Sequence, residues 1–512
     1  MLKKLNLAKN WVAQFLIVLL AISLLSRFLY LDFGLPYVLQ ADEAEMAEYS
    51  LKYAVNLKKL FEGDFVFFKP FSFVYGSLPA YLNTFLLVPF LKITQILNLS
   101  QDRYYIYLYL RVWSVLFTIF ACFGVFLLAK QITKNQVISL LSALLFSLNF
   151  YFLWLSKYLN NDVLIVFFTI YFLYFYLKYQ ETKKNKDLYY SLLFVGLGIS
   201  TKITFGLVFI YPFIELILKK DFKKLFYGCG IIFGTYLITN PFTFIFPLEF
   251  WGRIMEMRVK ENGIVIDSYN TSYFKYLISL IDNLTAPVVV LGLTKIFKDL
   301  TKKKFYISSY IIIIFVVFFT FSSRIVDRWV LPIYPLLIIN FFMILDYIKY
   351  KYLKEIIIGI VFFLSFNQFI QTNIELSAGS NLAKAYLDFI NNHVEAGKTV
   401  YIVTERGLNP FGYVIRKQMF YAQAPVNLYV SDRGFESFPD NPSNYDFVVF
   451  STKVRSYYLN PYIYELNSNY VNKWEDFYKQ LLDQQKFEVL GFYGSMQKSL
   501  INQENIIVFK KK

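Results

Sequence analysis

The sequence predicts a mainly α-helical, polytopic membrane domain over residues 1–372, followed by a soluble α/β domain over 373–512. Three observations predict it. Of 512 residues, 57% are hydrophobic and 21% aromatic, with a mean hydropathy of +0.44, more apolar than soluble globular chains. Apolar stretches long enough to form spans recur from residue 11 to residue 371. Near Asn373 the composition turns: Asn, Asp, Gly, Pro and Ser return, and the apolar runs shorten to five or six residues.

Lys3, Lys4 and Lys9 precede a first apolar span from about Trp11 to Tyr30, which lacks a small-residue cleavage site and reads as a retained span rather than a removed signal. Further stretches run over 75–98, 105–130, 137–155, 162–178, 188–200, 203–218, 225–246, 284–297, 305–322, 328–346 and 355–371. Counted together they give about twelve spans. A single helix over 188–218 would run to roughly 46 Å, too long for a hydrocarbon core about 30 Å thick. Two short spans meeting near Ser200, Thr201 and Lys202 are expected instead.

Basic clusters test the count. They fall at Lys130 and Lys134; at Lys178, Lys183, Lys184 and Lys186; at Lys219, Lys220, Lys223 and Lys224; at Lys295, Lys298, Lys302, Lys303 and Lys304; and at Lys349, Lys351 and Lys354. If these and the N-terminus face the cytoplasm, an even number of spans separates each from the next. Only the first interval disobeys. Its least span-like member, 75–98, holds Pro79, Pro89 and Lys92 and follows a polar loop, so it is expected to be interfacial or re-entrant on the outer side. About eleven spans remain. The N-terminus is then inside and the C-terminal domain outside the cell membrane, with Asp42, Glu43, Lys69, Arg111, Asp162, Lys202, Asn240 and Arg328 at or near the outer face.

The net charge of +16 is the loop signature of such a chain rather than a nucleic-acid footprint. Cys122 and Cys229 lie in apolar runs and His393 stands alone, so no disulfide framework, zinc motif or serine–histidine pair is present in the sequence. In the C-terminal part, Val400–Val403 and Phe447–Phe450 read as buried strands, and Leu382–Ile390 and Trp474–Leu482 as helices. No catalytic motif occurs there; support, acceptor recognition and partner docking all remain open roles.

The chemistry-bearing stretch is Asp42 to Tyr81, directly after the first span. Asp42 and Glu43 open an amphipathic helix with Ala44, Ala47, Leu51 and Ala54 on one side and Glu45, Glu48 and Lys52 on another. Such a pair serves either as a favourable helix start or as an acid or base held against a lipid-linked substrate. Asp162 and Lys202 serve equally as interfacial charges or as site groups, and Arg328 as a span anchor or a site group.

Taken together, Asp42-Glu43-Ala44, Glu62-Gly63-Asp64, Lys69-Pro70, Tyr75-Gly76-Ser77-Leu78-Pro79, Arg111 with Ser114, Asn160-Asn161-Asp162, Gly196-x-Gly198-x-x-x-Lys202, Asn240-Pro241-Phe242 and Arg328-Trp329-Val330-Leu331-Pro332-Ile333-Tyr334-Pro335 resemble the protein O-mannosyltransferases and related bacterial and archaeal enzymes, membrane glycosyltransferases of the GT-C fold. The resemblance covers most of residues 12–350. It implies juxtamembrane helices in the first outer loop. It also implies inverting transfer of a sugar from a polyprenyl-phosphate carrier to a protein, lipid or glycan acceptor on the outer face. On that reading Asp42 is the general base, and Glu43 orients the acceptor or helps hold a divalent cation. Asp162 is a second outer-loop carboxylate, and Lys69, Lys202 and Arg328 contact the donor phosphate. One departure stands out, because Phe68 occupies the position before Lys69 where the family often has an acidic residue.

Competing classes fit less well. A lipid or solute transporter would favour an internal repeat, which the sequence lacks. A sensor or scaffold has no use for so many spans. A nucleotide-sugar enzyme would need an Asp-x-Asp to hold its diphosphate through a metal, and none occurs.

Overall fold

The computed structural model describes residues 11–33, 35, 41–70, 73, 76–99, 102–262, 273–303, 306–321, 326–394, 397–403, 427–430, 441–451, 468–493 and 506–512. Lys3, Lys4, Lys9, Tyr75 and Lys304 lie outside them. The chain divides into two compact units. The larger holds Met1–Leu31, Met46–Val259 and Thr271–Ile370, and the smaller holds Asp32–Glu45, Lys260–Asn270 and Gln371–Lys512.

Helices dominate. In order they are α1 (Trp11–Phe28), α2 (Ala41–Val55), α3 (Lys58–Phe61), α4 (Leu78–Ile96), α5 (Arg103–Thr133), α6 (Gln136–Ser147), α7 (Phe150–Leu155), α8 (Asn161–Thr182), α9 (Asn185–Ile199), α10 (Ile210–Leu218), α11 (Phe222–Thr239), α12 (Pro241–Ile245), α13 (Pro247–Asn262), α14 (Lys275–Leu284), α15 (Ala286–Thr301), α16 (Ile307–Thr320), α17 (Tyr334–Leu345), α18 (Lys351–His393) and α19 (Ser468–Leu481). Among the described residues, four stretches are long and apolar enough to cross a membrane: α1, α5, α8 and Lys351–Ser377 of α18. Shorter apolar helical stretches lie at Gln136–Ser147, Ile203–Leu218, Ile307–Thr320 and Leu331–Leu345. The chain is a multi-pass membrane protein. Helix α4, with Pro89 inside it, is not among the four.

The core of the larger unit is set by one helix that is apolar all round. In α17, Leu336, Leu337, Ile338, Ile339 and Phe341 are all buried, and burying every face requires neighbours on every side. Residues of α5 to α9 and of α14 to α16 belong to the same cluster, with Val361 of α18. By contrast, Lys351–Ser377 has only 11% of its most apolar window buried, the pattern of a helix that faces lipid rather than protein. The break expected near residue 200 is present: α9 ends at Ile199, and a 3-10 helix, Ile203–Phe209, leads into α10.

In the smaller unit, a five-stranded sheet is ordered β2 (Asn427–Val430), β1 (Thr399–Val403), β3 (Phe447–Ser451), β5 (Ile506–Lys511), β4 (Phe487–Tyr493). Strand β1 is parallel to both β2 and β3, and β5 is antiparallel to β3 and β4. Trp474, Phe477 and Leu481 of α19 bury the sheet face formed by Tyr401, Val448, Phe450 and Phe509. The helix expected separately over Leu382–Ile390 is instead the end of α18, because no proline interrupts Lys351–His393 and the helical ladder continues.

Candidate active site

The motif pieces converge through the backbone. Gly76 N–H donates to Thr201 O (3.1 Å) and Leu78 N–H to Ser200 O (3.4 Å), while Ser77 N–H donates to the side chain of Asn240 (2.6 Å). A Cβ on Gly76 would lie 1.7 Å from Ser200 O, so only glycine permits the approach. Thr239 Oγ1 donates to Ser200 Oγ (2.6 Å). Three segments distant in sequence thus form one knot, and Lys202 leaves it as the residue preceding the 3-10 helix.

Lys202 then meets two other expected site residues. Asp162 sits in the first turn of α8, behind the Asn160 side chain that caps Val163 N–H (3.0 Å). Its Oδ1 is 3.2 Å from Lys202 Nζ and its Oδ2 is 3.3 Å from Arg328 Nε. The carboxylate is 7% exposed, whereas Lys202 and Arg328 are 16% and 22% exposed. One buried anion therefore aligns two cations that still reach the open side, and the triad keeps one surplus positive charge. Lys202 also stands 5.5 Å from the centre of the Trp329 ring, a cation–π distance.

Around the triad lie groups to which the sequence assigned no site role. Asp327 accepts from Ser279 Oγ (2.6 Å), and burial holds its carboxyl above the usual carboxylate range. Tyr151 is within electrostatic reach of Asp162, Asp327 and Arg328. Asn161 Oδ1 and Tyr334 OH are buried without a hydrogen-bond partner among the described residues. Tyr334 lies within the Arg328–Pro335 motif, so position was a signal, but the chain's 43 tyrosines hid it.

Lys69 is not part of the triad's ion pairs. Its Nζ pairs with Glu249 Oε2 at 2.7 Å, in the first turn of α13, and sits 4.7 Å from the centre of the Phe246 ring. Glu249 supplies from a distant helix the acid that Phe68 does not supply next door. Tyr53 OH donates to Lys69 O (3.0 Å) and Tyr81 OH to Phe68 O (3.0 Å), which fixes the backbone there. Beside this saddle lies an open groove of about 520 Å³, walled by Tyr53, Leu57, Phe68, Phe85, Pro241 and Ile245, among others.

Asp42 and Glu43 fall in the first turn of α2, with Asp42 half-buried and Glu43 fully buried. Both belong to the smaller unit. Adjacent helical residues do not face each other, and no group of three or more His, Cys, Asp or Glu side chains gathers among the described residues. The pair is not by itself a chelating site.

Arg111 meets the chain just after α1. It is buried at the end of α1 and donates to Leu31 O (2.7 Å), while Ser114 Oγ donates to Tyr158 O (3.1 Å).

Residues 107–246 match the family model of dolichyl-phosphate-mannose-protein mannosyltransferase. The whole chain is similar in fold to ArnT from Cupriavidus metallidurans in the apo state (TM-score 0.54, 13% identity, 98% of each chain). It is similarly close to the same protein bound to undecaprenyl phosphate (TM-score 0.52, 12% identity, 98% of each chain). The fold is ArnT-like. An uncharacterized protein of Aquifex aeolicus (strain VF5) is 25% identical over 255 residues, 48% of this chain and 50% of that one, so the chain spans about half the length of that curated relative.

Proposed function

We propose that the chain is an inverting glycosyltransferase that moves a sugar from a polyprenyl-phosphate carrier to a protein, lipid or glycan acceptor on the extracytoplasmic face of the cell membrane. The observation that carries the reading is the apolar groove walled in part by Phe68, the residue before Lys69. An isoprenoid chain fits an apolar groove, and its phosphate needs a cation at the end. An undecaprenyl-phosphate complex of a protein with the same fold supports this choice of carrier.

In this reading Asp42 takes the proton of the acceptor hydroxyl as that oxygen attacks the anomeric carbon. The bond between anomeric carbon and phosphate oxygen breaks, its electron pair stays on the phosphate, and the configuration inverts. The negative charge that develops on the leaving lipid phosphate is met by Lys69, Lys202 and Arg328. Glu43 orients the acceptor. Asp162, with both oxygens engaged by cations, positions Lys202 and Arg328 rather than accepting a proton. About eleven spans, an inside N-terminus, an interfacial α4 and an outside domain over 373–512 complete the proposal.

Purified protein supplied with either a polyprenyl-phosphate sugar or the matching nucleotide sugar, and no other enzyme, tests it. Product is expected from the lipid donor alone. Product from the nucleotide sugar alone would overturn the reading. Asp42→Asn keeps the shape and removes basicity, so transfer should fall by about a hundredfold or more while lipid binding persists.

A further inference from the structure

We infer that Glu249 is an internal counter-anion on Lys69 that admits the singly charged donor and expels the doubly charged lipid phosphate left after transfer. This rests on the donor phosphate lying at Lys69, as proposed above. A phosphodiester sugar donor carries one negative charge. The lipid monophosphate released from it carries close to two at neutral pH, its second ionisation lying near pH 6.

A phosphate site in which Lys69 stood without a counter-anion would hold the product more tightly than the substrate. The chain tail gains the same burial in both, and the ammonium attracts the dianion more strongly. Such a site is inhibited by what it makes. Glu249 changes that balance because its oxygen is 2.7 Å from Lys69 Nζ, so the pair is neutral before any ligand arrives. The second charge on the leaving phosphate then meets a carboxylate as well as an ammonium.

Glu249 is held in place for that task. It occupies the first turn of α13, where the helix dipole favours a carboxylate, and α13 starts at Pro247. Phe246, just before that turn, sets its ring against the same ammonium at 4.7 Å. The Lys69 backbone is fixed by the Tyr53 hydroxyl. Both partners are partly exposed, at 27% and 38%, so an incoming anion can reach them and water can take up the pair when it opens. Phe68 stands where an acid would otherwise sit next to the lysine, and the carboxylate that Lys69 meets comes from Glu249.

The test uses the full chain in nanodiscs and two probes of equal tail length, undecaprenyl phosphate and its methyl ester, which differ by one charge. Glu249→Gln should shift the ratio of their affinities toward undecaprenyl phosphate by about tenfold, the scale of one partly screened charge–charge contact, and should steepen product inhibition to match. Glu249→Asp keeps the charge and should keep the wild-type ratio, which separates charge from packing. An unchanged ratio in Glu249→Gln, with Lys69→Gln weakening both probes, would overturn the inference and leave the proposed donor site standing. Lys69→Gln that weakens neither probe would instead remove the donor site on which it rests.

Discussion

Two basic clusters in the larger unit look alike in the sequence and differ in what surrounds them. At the end of α1, Lys157 Nζ donates to the carbonyls of Ser26 (2.8 Å), Arg27 (2.9 Å) and Leu29, Arg111 donates to Leu31 O, and Arg27 donates to Ser147 O (3.1 Å). All three side chains are at most 1% exposed. At the start of α8, Lys202 and Arg328 share one carboxylate and remain partly open. The first cluster closes a helix terminus, whose last carbonyls have no partners of their own. The second holds charge where a ligand can reach it. Between these two clusters the kind of acceptor, carbonyl or carboxylate, together with exposure, separates capping groups from binding cations.

Stability should break the comparison most strongly. Arg111→Ala leaves a buried carbonyl unpaired and opens a cavity, at a cost of about 3 kcal/mol. Thermal unfolding in detergent is expected to drop, while turnover per folded molecule stays near wild type. A normal melting profile with lost turnover would move Arg111 into the site.

Next come the triad cations. Lys202→Ala or Arg328→Ala removes a charge-assisted contact worth about 1.5–3 kcal/mol, so use of the lipid donor should fall by roughly ten- to a hundredfold with little change in melting. Loss of melting without loss of donor use would make this cluster structural too. Arg328→Lys should recover only part of the activity, since an ammonium keeps the charge and loses the planar fork.

A smaller and directional effect concerns pH. Burial, and then the neighbouring Arg27 and Arg111, push the Lys157 ammonium down to about 7 from an ordinary 10.5. Between those values the unfolded chain binds the proton that the folded one has released, so stability rises with pH through this window and the gain is lost as pH falls to 7. Unfolding measured from pH 7 to pH 9 should show a gain of roughly 1 kcal/mol per pH unit, and Lys157→Met should flatten it. An equal slope in the variant would assign the effect elsewhere.

Much of the larger unit was legible because its signals are local. The apolar runs marked α1, α5, α8 and the front of α18, and the length of 188–218 implied the break at Ser200. Asp162, Lys202 and Arg328 were each visible as charges beside apolar runs, and the structure brings the three together. Glu249, Asp327, Tyr151 and Tyr334 were assigned no site role, since a glutamate at a helix start and three more polar residues in an aromatic-rich chain carry no local mark of what they do. Arg111 was read with the outer-face charges, and the carbonyl it meets, Leu31 O, lies 80 residues away, where no local pattern shows it.

The sequence by itself determined the membrane class, the helical periodicity, the change of composition near residue 373 and the residue types that can handle a phosphate, because burial and span length depend on side chains within one element. Only the tertiary structure decided which charges meet. Coulombic and hydrogen-bond partners are set by distances across elements, as in the 180-residue separation of Lys69 from Glu249, and no local pattern encodes such a distance.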